Sequence, residues 1–522
     1  MNGSSTCEPR RVATRPAVNH HLLAQWLEGV REQLQAARVW PLLDLEGVDA
    51  VDALLSPLFL AAMKQLRSGG HEGPRNVVGR LVESVRWEAY RVKRALAERR
   101  AAQRSAAVRH VDVLFWPREL AHYHGQGPVA KALAASGLTC AVMTCNHRAF
   151  DPLAERGVQA VHATHAWPEA LAAARRDAGR RVQGLRQMRP ERLPPFRQEG
   201  IECDLTSFYW HALADALPGG CESVANARAA LARFEPRLLV VGNDITYEGR
   251  AGCLVARHQK VPSAVLHHGH SVGNALYGLH RADLIAVYSA TERADLLAMG
   301  IDDGRVFVGG APYLDDRQRQ TGQVHPQLAR LLGLRPGQAY VLVANSGPGH
   351  RVSHRQHELV IEQLMRLSNR FADVVFAVKL HRKDQMSYYR QAAERFGAHR
   401  LKIIPDGATE YPPDIFDWLQ GCRAVLTGSS NVAVEAMLMD VPVISMDFCD
   451  EIHGIDFIDM GATLRVTSGE DLDDRLQAVL EGSIIVEPVK AKAAEYLHDS
   501  FSLLDGHAGE RIAAALATLI GE

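Results

Sequence analysis

Thr427–Phe448, TGSSNVAVEAMLMDVPVISMDF, sets the fold class. Two apolar runs, AVLTG (424–428) and PVISM (442–446), enclose a Ser-Ser-Asn turn and a short helical pattern starting near Asn431. Strand, turn, helix and strand in that order describe one crossover unit of a parallel sheet. A strand that ends in Gly428 and turns into a helix aims backbone N–H groups, with the Ser429 and Ser430 hydroxyls, at one point. The helix dipole adds partial positive charge there. The same residues also serve as ordinary helix caps. The turn alone therefore leaves a phosphate cradle and a structural cap both open.

The alternation extends outward on both sides. AYVLVANSG (339–347), DVVFAVKLH (373–381) and LKIIP (401–405) are further strand candidates, and HRQHELVIEQLMRLSNRF has the apolar spacing of an amphipathic helix. Upstream, VDVLFW (111–116), LTCAVMT (138–144), GVQAVHA (157–163), LLVVGND (238–244), SAVLHHG (263–269) and DLIAVYS (283–289) repeat the pattern. PRELAHYHGQG reads as a polar loop before the helix PVAKALAASG (128–137), and an Arg/Ala-rich helical insertion occupies about 167–234. The expected fold class is α/β with two parallel-sheet units. The domains read as a helical extension (1–109), an N-terminal Rossmann-like domain (110–310) and a C-terminal Rossmann-like domain (311–522), with GGAP (309–312) marking the crossing.

Composition narrows the function. A chain of 522 residues suggests two or three domains. With 59 Lys and Arg against 60 Asp and Glu, the net charge of −1 gives no reason to expect a nucleic-acid protein. The eight cysteines show no zinc spacing, and they read as reduced thiols of a cytosolic protein. The first residues lack a secretory h-region, and the run Leu54–Met63 is too short to span a bilayer. The chain is expected to be cytoplasmic. The helical stretch bearing Arg80, Arg86, Arg91, Arg94, Arg99 and Arg100 is either a solvated face or a contact to the inner face of an anionic membrane.

In open parallel sheets, ligands lie beyond the carboxyl ends of the strands. In the first half those positions hold Arg118, Glu119, His122, His124, Asn243, Asp244, His267, His268 and His270. A neutral imidazole is a competent general base near pH 7, so His268 is the candidate catalytic base, with Asp244 and Glu119 as rivals. In the second half the strand ends hold Gly347, Gly349, His350 and Arg351, then Lys379, His381 and Arg382, then Ser429, Ser430 and Asn431. Rich in cations, hydroxyls and glycine, this set suits a nucleotide phosphate.

The strand ending in HHG, the run ADLIAVYSATERADLLAMGI, then VFVGGAPYLD, VVFAVKLH and DIFDWLQGCRAVLTGSSNVAVEAMLMDVPVISMD together resemble GT-B glycosyltransferases. The likeness is nearest to the branch of CDP-glycerol glycerophosphotransferases, capsule-polysaccharide transferases and bacterial sialyltransferases, and it covers about residues 110–515. It implies two Rossmann-like domains facing across a cleft. It also implies transfer of a sugar or polyol phosphate from a nucleotide-activated donor to an acceptor hydroxyl, in bacterial surface-polysaccharide or glycoconjugate synthesis. His268 would then be the base, His124, His267 and His270 would meet the acceptor, His381, Ser429 and Ser430 would hold the donor phosphate, and Glu435 would contact the donor's ribose or sugar. Arg382 stands where the family's motif has proline. Thr427, eight residues before Glu435, breaks the Glu-x7-Glu spacing of retaining enzymes, which implies an inverting displacement. No metal and no cofactor beyond the nucleotide sugar are implied. A UDP-N-acetylglucosamine 2-epimerase-like enzyme shares this architecture and needs no acceptor; a non-catalytic GT-B binding protein is a third reading.

Overall fold

The structure, a computed structural model, describes residues 19–68, 109–144, 159–268, 275–315, 323–345, 347–348, 352–381, 384–397, 401–405, 414–452, 455–483, 486–501 and 503–521. The chain divides into two compact units, Met1–Asp315 with Leu504–Glu522, and Asp316–Leu503. The Arg-rich stretch from Arg80 to Arg100 lies outside the described residues. Among the described residues no helix is long and apolar enough to cross a membrane.

The first unit is built on strands β1 (Val113–Trp116), β2 (Cys140–Thr144), β3 (Ala160–His162), β6 (Leu238–Val241), β7 (Ser263–Leu266), β8 (Leu284–Val287) and β9 (Val306–Val308). A two-stranded antiparallel ribbon, β4 (Phe196–Gln198) and β5 (Ile201–Cys203), interrupts the expected helical insertion. The seven-stranded sheet runs β3-β2-β1-β6-β7-β8-β9, every pair parallel. Strand order therefore reverses between β1 and β6. The runs VLFW and LLVV are buried on both faces, as all-parallel sheets require. Helices cover the sheet, among them the long helix Thr206–Phe234 and the C-terminal helix Ala508–Gly521.

One local expectation is corrected. The polar segment LAHYHGQG is not a loop: the helix starts at Leu120 and runs to Ala135 with Pro128 inside it. A proline fits at a helix start but is also carried mid-helix at the loss of one backbone hydrogen bond. The correction matters because it places His122 in the first turn of a helix, directly behind the end of β1.

The N-terminal helices His20–Gln35, Ala50–Ala53 and Leu55–Ser68 share the core of this unit. Leu23, Leu27, Val30 and Leu34 recur at helical spacing and are buried. Asp52 joins them to the sheet: its carboxylate meets Arg250 at 2.8 Å and Arg281 at 2.9 Å.

The second unit carries β10 (Tyr340–Val343), β11 (Val375–Lys379), β12 (Leu401–Ile404), β13 (Ala424–Thr427), β14 (Val443–Met446) and β15 (Leu464–Val466). Its sheet runs β12-β11-β10-β13-β14-β15, again all parallel, with the reversal between β10 and β13. The helix His354–Arg370 is capped by Ser353, whose hydroxyl accepts the N–H of Gln356 at 3.0 Å. It buries Val360, Ile361, Leu364, Met365 and Leu367 against the strands. Gly397 and Gly482 end their helices at φ +64° and +68°, where a side chain would be strained.

Candidate active site

Each sheet offers one crevice where its strand order reverses, and in doubly wound sheets that is where ligands bind. In the first unit the crevice lies beyond β1 and β6. β6 runs into Gly242, Asn243 and Asp244, and Asn243 closes the turn by accepting the N–H of Ile245 at 2.7 Å. His268, two residues past β7, lies 2.9 Å through Nδ1 from the carbonyl oxygen of Gly242. Only a protonated Nδ1 can donate to that oxygen, which leaves a lone pair on Nε2. The His122 ring lies against it, tilted by 50°, with ring centroids 3.9 Å apart.

Burial lowers the pKa of both imidazoles. For His268 the Gly242 contact works partly against it. For His122 a proton on the neighbouring His268, and the Arg118 charge, push the same way, and the pKa falls far below the ordinary range. Both rings are therefore neutral near pH 7. Glu119 is half-buried at the cap of the helix that carries His122, and His124 is exposed on the same helix.

Asp244 occupies a different environment. It is fully buried, accepts the N–H groups of Arg281 at 2.6 Å and Ala282 at 3.0 Å, and pairs with His280. Burial would raise its pKa, but His280, Arg250 and the Arg281 N–H outweigh that, and the carboxyl is held below its ordinary value. His280 meets His267 at 3.3 Å between Nε2 atoms, and His267 lies 3.9 Å from the Glu292 carboxylate. Asp244 and His267 thus face the interior, behind the crevice. His280 went unnoticed in the sequence because it precedes a strand, whereas the strand-end rule inspects only residues on the carboxyl side. His270 lies outside the described residues.

In the second unit the crevice lies beyond β10 and β13, where the TGSSN turn sits. Thr427 donates its hydroxyl to Ala344 O at 2.7 Å, and Asn345 Oδ1 accepts the Gly428 N–H at 3.0 Å. The two strand ends are thereby fixed to each other. Ser430 accepts at 3.4 Å the N–H of Val432, the first residue of the helix Val432–Leu438, whose N-cap residue Asn431 makes no side-chain capping bond. Asn431 is exposed and Ser429 half-buried. Lys379 ends β11, next to β10, and His381 follows it. The tip is held by Asp384, which donates its N–H to His381 O at 2.8 Å while its carboxylate takes the Tyr389 hydroxyl at 2.8 Å and meets His357 at 3.2 Å. Gly347 is buried at the end of this edge; Gly349, His350, Arg351 and Arg382 lie outside the described residues.

Glu435 sits on the helix behind the Ser-Ser turn. Its Oε2 is buried without a hydrogen-bond partner, and burial, with Asp414 adding to it, pushes the carboxyl up to about 7. Two sets of groups are therefore in place: neutral imidazoles at the first crevice, and hydroxyls, a cation and a buried acid at the second.

A model of the UDP-N-acetylglucosamine 2-epimerase family matches residues 221–517, more than half of the chain and parts of both units. The chain belongs to that family. Among solved structures, a UDP-N-acetylglucosamine 2-epimerase is similar at TM-score 0.52 and 16% identity, over 79% of this chain and 97% of the other. S. aureus MnaA in complex with UDP gives 0.47 at 17% identity over 79% and 98%, and the Neisseria meningitidis UDP-GlcNAc 2-epimerase bound to UDP-GlcNAc gives 0.48 at 14% over 78% and 99%. No curated protein matches in sequence.

The GT-B-like pair of Rossmann-type units expected from the sequence is present. The glycosyltransferase assignment, its sialyltransferase and glycerophosphotransferase branch and its acceptor are overturned by the family match. The reason is physical: two parallel sheets with ligand loops at their strand ends serve transferases and epimerases alike. Strand-end motifs suited to a phosphate do not report what happens to a sugar attached to it.

Proposed function

We propose that the protein is a nucleotide-sugar epimerase that inverts C2 of a UDP-N-acetylhexosamine. The observation that carries the reading is the family match, which runs from the helix before β6 through the TGSSN turn to the C-terminal helix. In this reading the TGSSN turn, Lys379 and His381 take the diphosphate, and Glu435 takes a hydroxyl of the nucleotide or sugar. His350, Arg351 and Arg382 fall on the same strand ends in sequence and join that set.

Inverting C2 requires breaking and remaking a C–H bond. That hydrogen is not acidic by itself, but the diphosphate on C1 is a good leaving group. A base removes the C2 proton while the C1–O electron pair departs with UDP; addition of UDP back across the resulting double bond, with a proton delivered to the opposite face of C2, completes the inversion. His268 suits the base, since its tautomer leaves Nε2 open and burial keeps it neutral. No acceptor and no redox partner is needed.

The test is one incubation of the full chain with UDP-N-acetylglucosamine alone in D2O, followed by proton NMR. The expected result is UDP-N-acetylmannosamine carrying deuterium at C2. Recovery of unchanged substrate without deuterium sinks the proposal, and a His268→Ala protein with full turnover sinks the role given to His268.

A further inference from the structure

We propose that His122 is the hydrogen-bond-donating partner of His268, the two adjoining rings being locked in opposite tautomers so that one presents a lone pair and the other an N–H to an oxygen-rich ligand. The inference rests on the epimerase reading for its chemistry, but its geometry stands apart from it.

Each tautomer follows from one contact. The backbone N–H of Arg118 points at His122 Nδ1 across 3.3 Å. A proton on Nδ1 would set two N–H groups against each other, so Nδ1 is the acceptor and the proton of the neutral ring sits on Nε2. In His268 the relation is reversed, because Nδ1 faces a carbonyl oxygen at 2.9 Å and must carry the proton. Were it bare, two lone-pair acceptors would face each other in a nearly closed site. The backbone thus fixes one ring as a donor at Nε2 and its neighbour as an acceptor at Nε2.

Gly242 holds both rings. Its carbonyl oxygen orients His268, and its missing side chain makes room for His122: a Cβ at this position would lie 2.4 Å from Cγ and Nδ1 of the His122 ring, closer than non-bonded atoms approach. Any other residue at 242 displaces His122. The glycine lies at the end of β6, at the strand reversal where ligands bind. Burial and the neighbouring Arg118 charge remove any tendency of His122 to charge. A neutral imidazole N–H is an electrophile that polarises an oxygen without being titrated away, the use triosephosphate isomerase makes of its own neutral histidine. The ligand atom it suits is an oxygen gaining negative charge. The proton is shared in a hydrogen bond and not transferred.

The experiment has two arms. The first reads tautomers in the full-length protein with 15N-labelled histidine, by long-range proton–nitrogen correlation, with the signals assigned from His122→Gln and His268→Gln. At pH 7 His122 is expected to show a protonated Nε2 and a bare Nδ1, and His268 the reverse. The same tautomer in both rings, or a charged His122, overturns the proposal. This arm needs no turnover, so it separates the fate of the pair from that of the epimerase reading. The second arm measures turnover of UDP-N-acetylglucosamine. His122→Leu should lower kcat about 100-fold, the usual size of one lost oxyanion donor, with KM changed by less than about threefold. His122→Gln, which restores an N–H, should recover at least about tenfold of that loss. Wild-type kcat in His122→Leu, or equal losses in the two variants, overturns the donor role.

Discussion

Asp52→Asn should cost the first unit about 3 kcal/mol. Asp52 is 5% exposed and lies on a short helix before the sheet. Its carboxylate accepts Arg250 Nε at 2.9 Å and pairs with Arg250 Nη2 at 2.8 Å and Arg281 Nε at 2.9 Å. Arg250 is 3% exposed, so the substitution strands a guanidinium in the core. Losing one partner of a buried pair costs about 3–5 kcal/mol. The lower end applies because asparagine keeps the shape and one acceptor oxygen, and because Glu28 still pairs with Arg281. The pH dependence has a definite sign. Burial would raise the Asp52 pKa, but Arg250 and Arg281 outweigh it and the folded-state value lies below the ordinary 3.8. A carboxyl with a depressed folded pKa stabilises above its unfolded pKa and loses that stability as pH falls through the folded one. The gap between wild type and variant should therefore be constant from about pH 8 to 5 and close only below about pH 4. Urea unfolding followed by tryptophan fluorescence reads this unit, because among the described residues Trp26, Trp40, Trp116, Trp167 and Trp210 belong to it and Trp418 to the other. A gap under about 1 kcal/mol at pH 7, or one that widens in acid, refutes the bridging role.

Three further outcomes rest on single contacts. Glu435→Gln should be more stable than wild type above pH 7, with the difference vanishing near pH 4.5. Its folded pKa, raised by burial to about 7, makes the wild type lose stability as pH climbs between the unfolded and folded values, and identical urea midpoints at pH 8 would contradict this. Gly249→Ala should lower stability by at least about 1–3 kcal/mol, because its Cβ would lie 1.8 Å from the Asn243 carbonyl oxygen and force the turn after β6 apart; a thermal midpoint equal to wild type would refute it. In the epimerase reading, the acid limb of kcat/KM should fall below pH 6.5, since burial lowers the pKa of His268 and a base works only when unprotonated. A limb at or above 6.5 would show another group in control.

The strands, and the strand ends where a doubly wound sheet opens a crevice, were legible in the residues before any folding was considered. Runs such as VLFW and LLVV are apolar without interruption because both faces are covered, and that pattern survives into the structure at each of them. The strand-end rule then led to His268, Lys379 and the TGSSN turn, which border the two points of strand reversal. β4, β5 and β15 escaped: each has an exposed central residue and so lacks the unbroken apolar run that marked the buried strands. Pro128 hid the first turns of the helix that holds His122.

What each group can do became visible only in the folded arrangement. Asp244 and His268 look alike as strand-end candidates, yet one is sealed behind His280 and the other lies at the crevice with Nε2 open. Only the fold brings Asp52 of the N-terminal helices to Arg250 and Arg281, and seats the C-terminal helix in the first unit. The pairing of His122 with His268, and its dependence on a glycine 120 residues from the one and 26 from the other, is written nowhere in local sequence. Periodicity records which residues are buried along one element, whereas protonation state and tautomer depend on atoms that separate elements bring within about 3 Å.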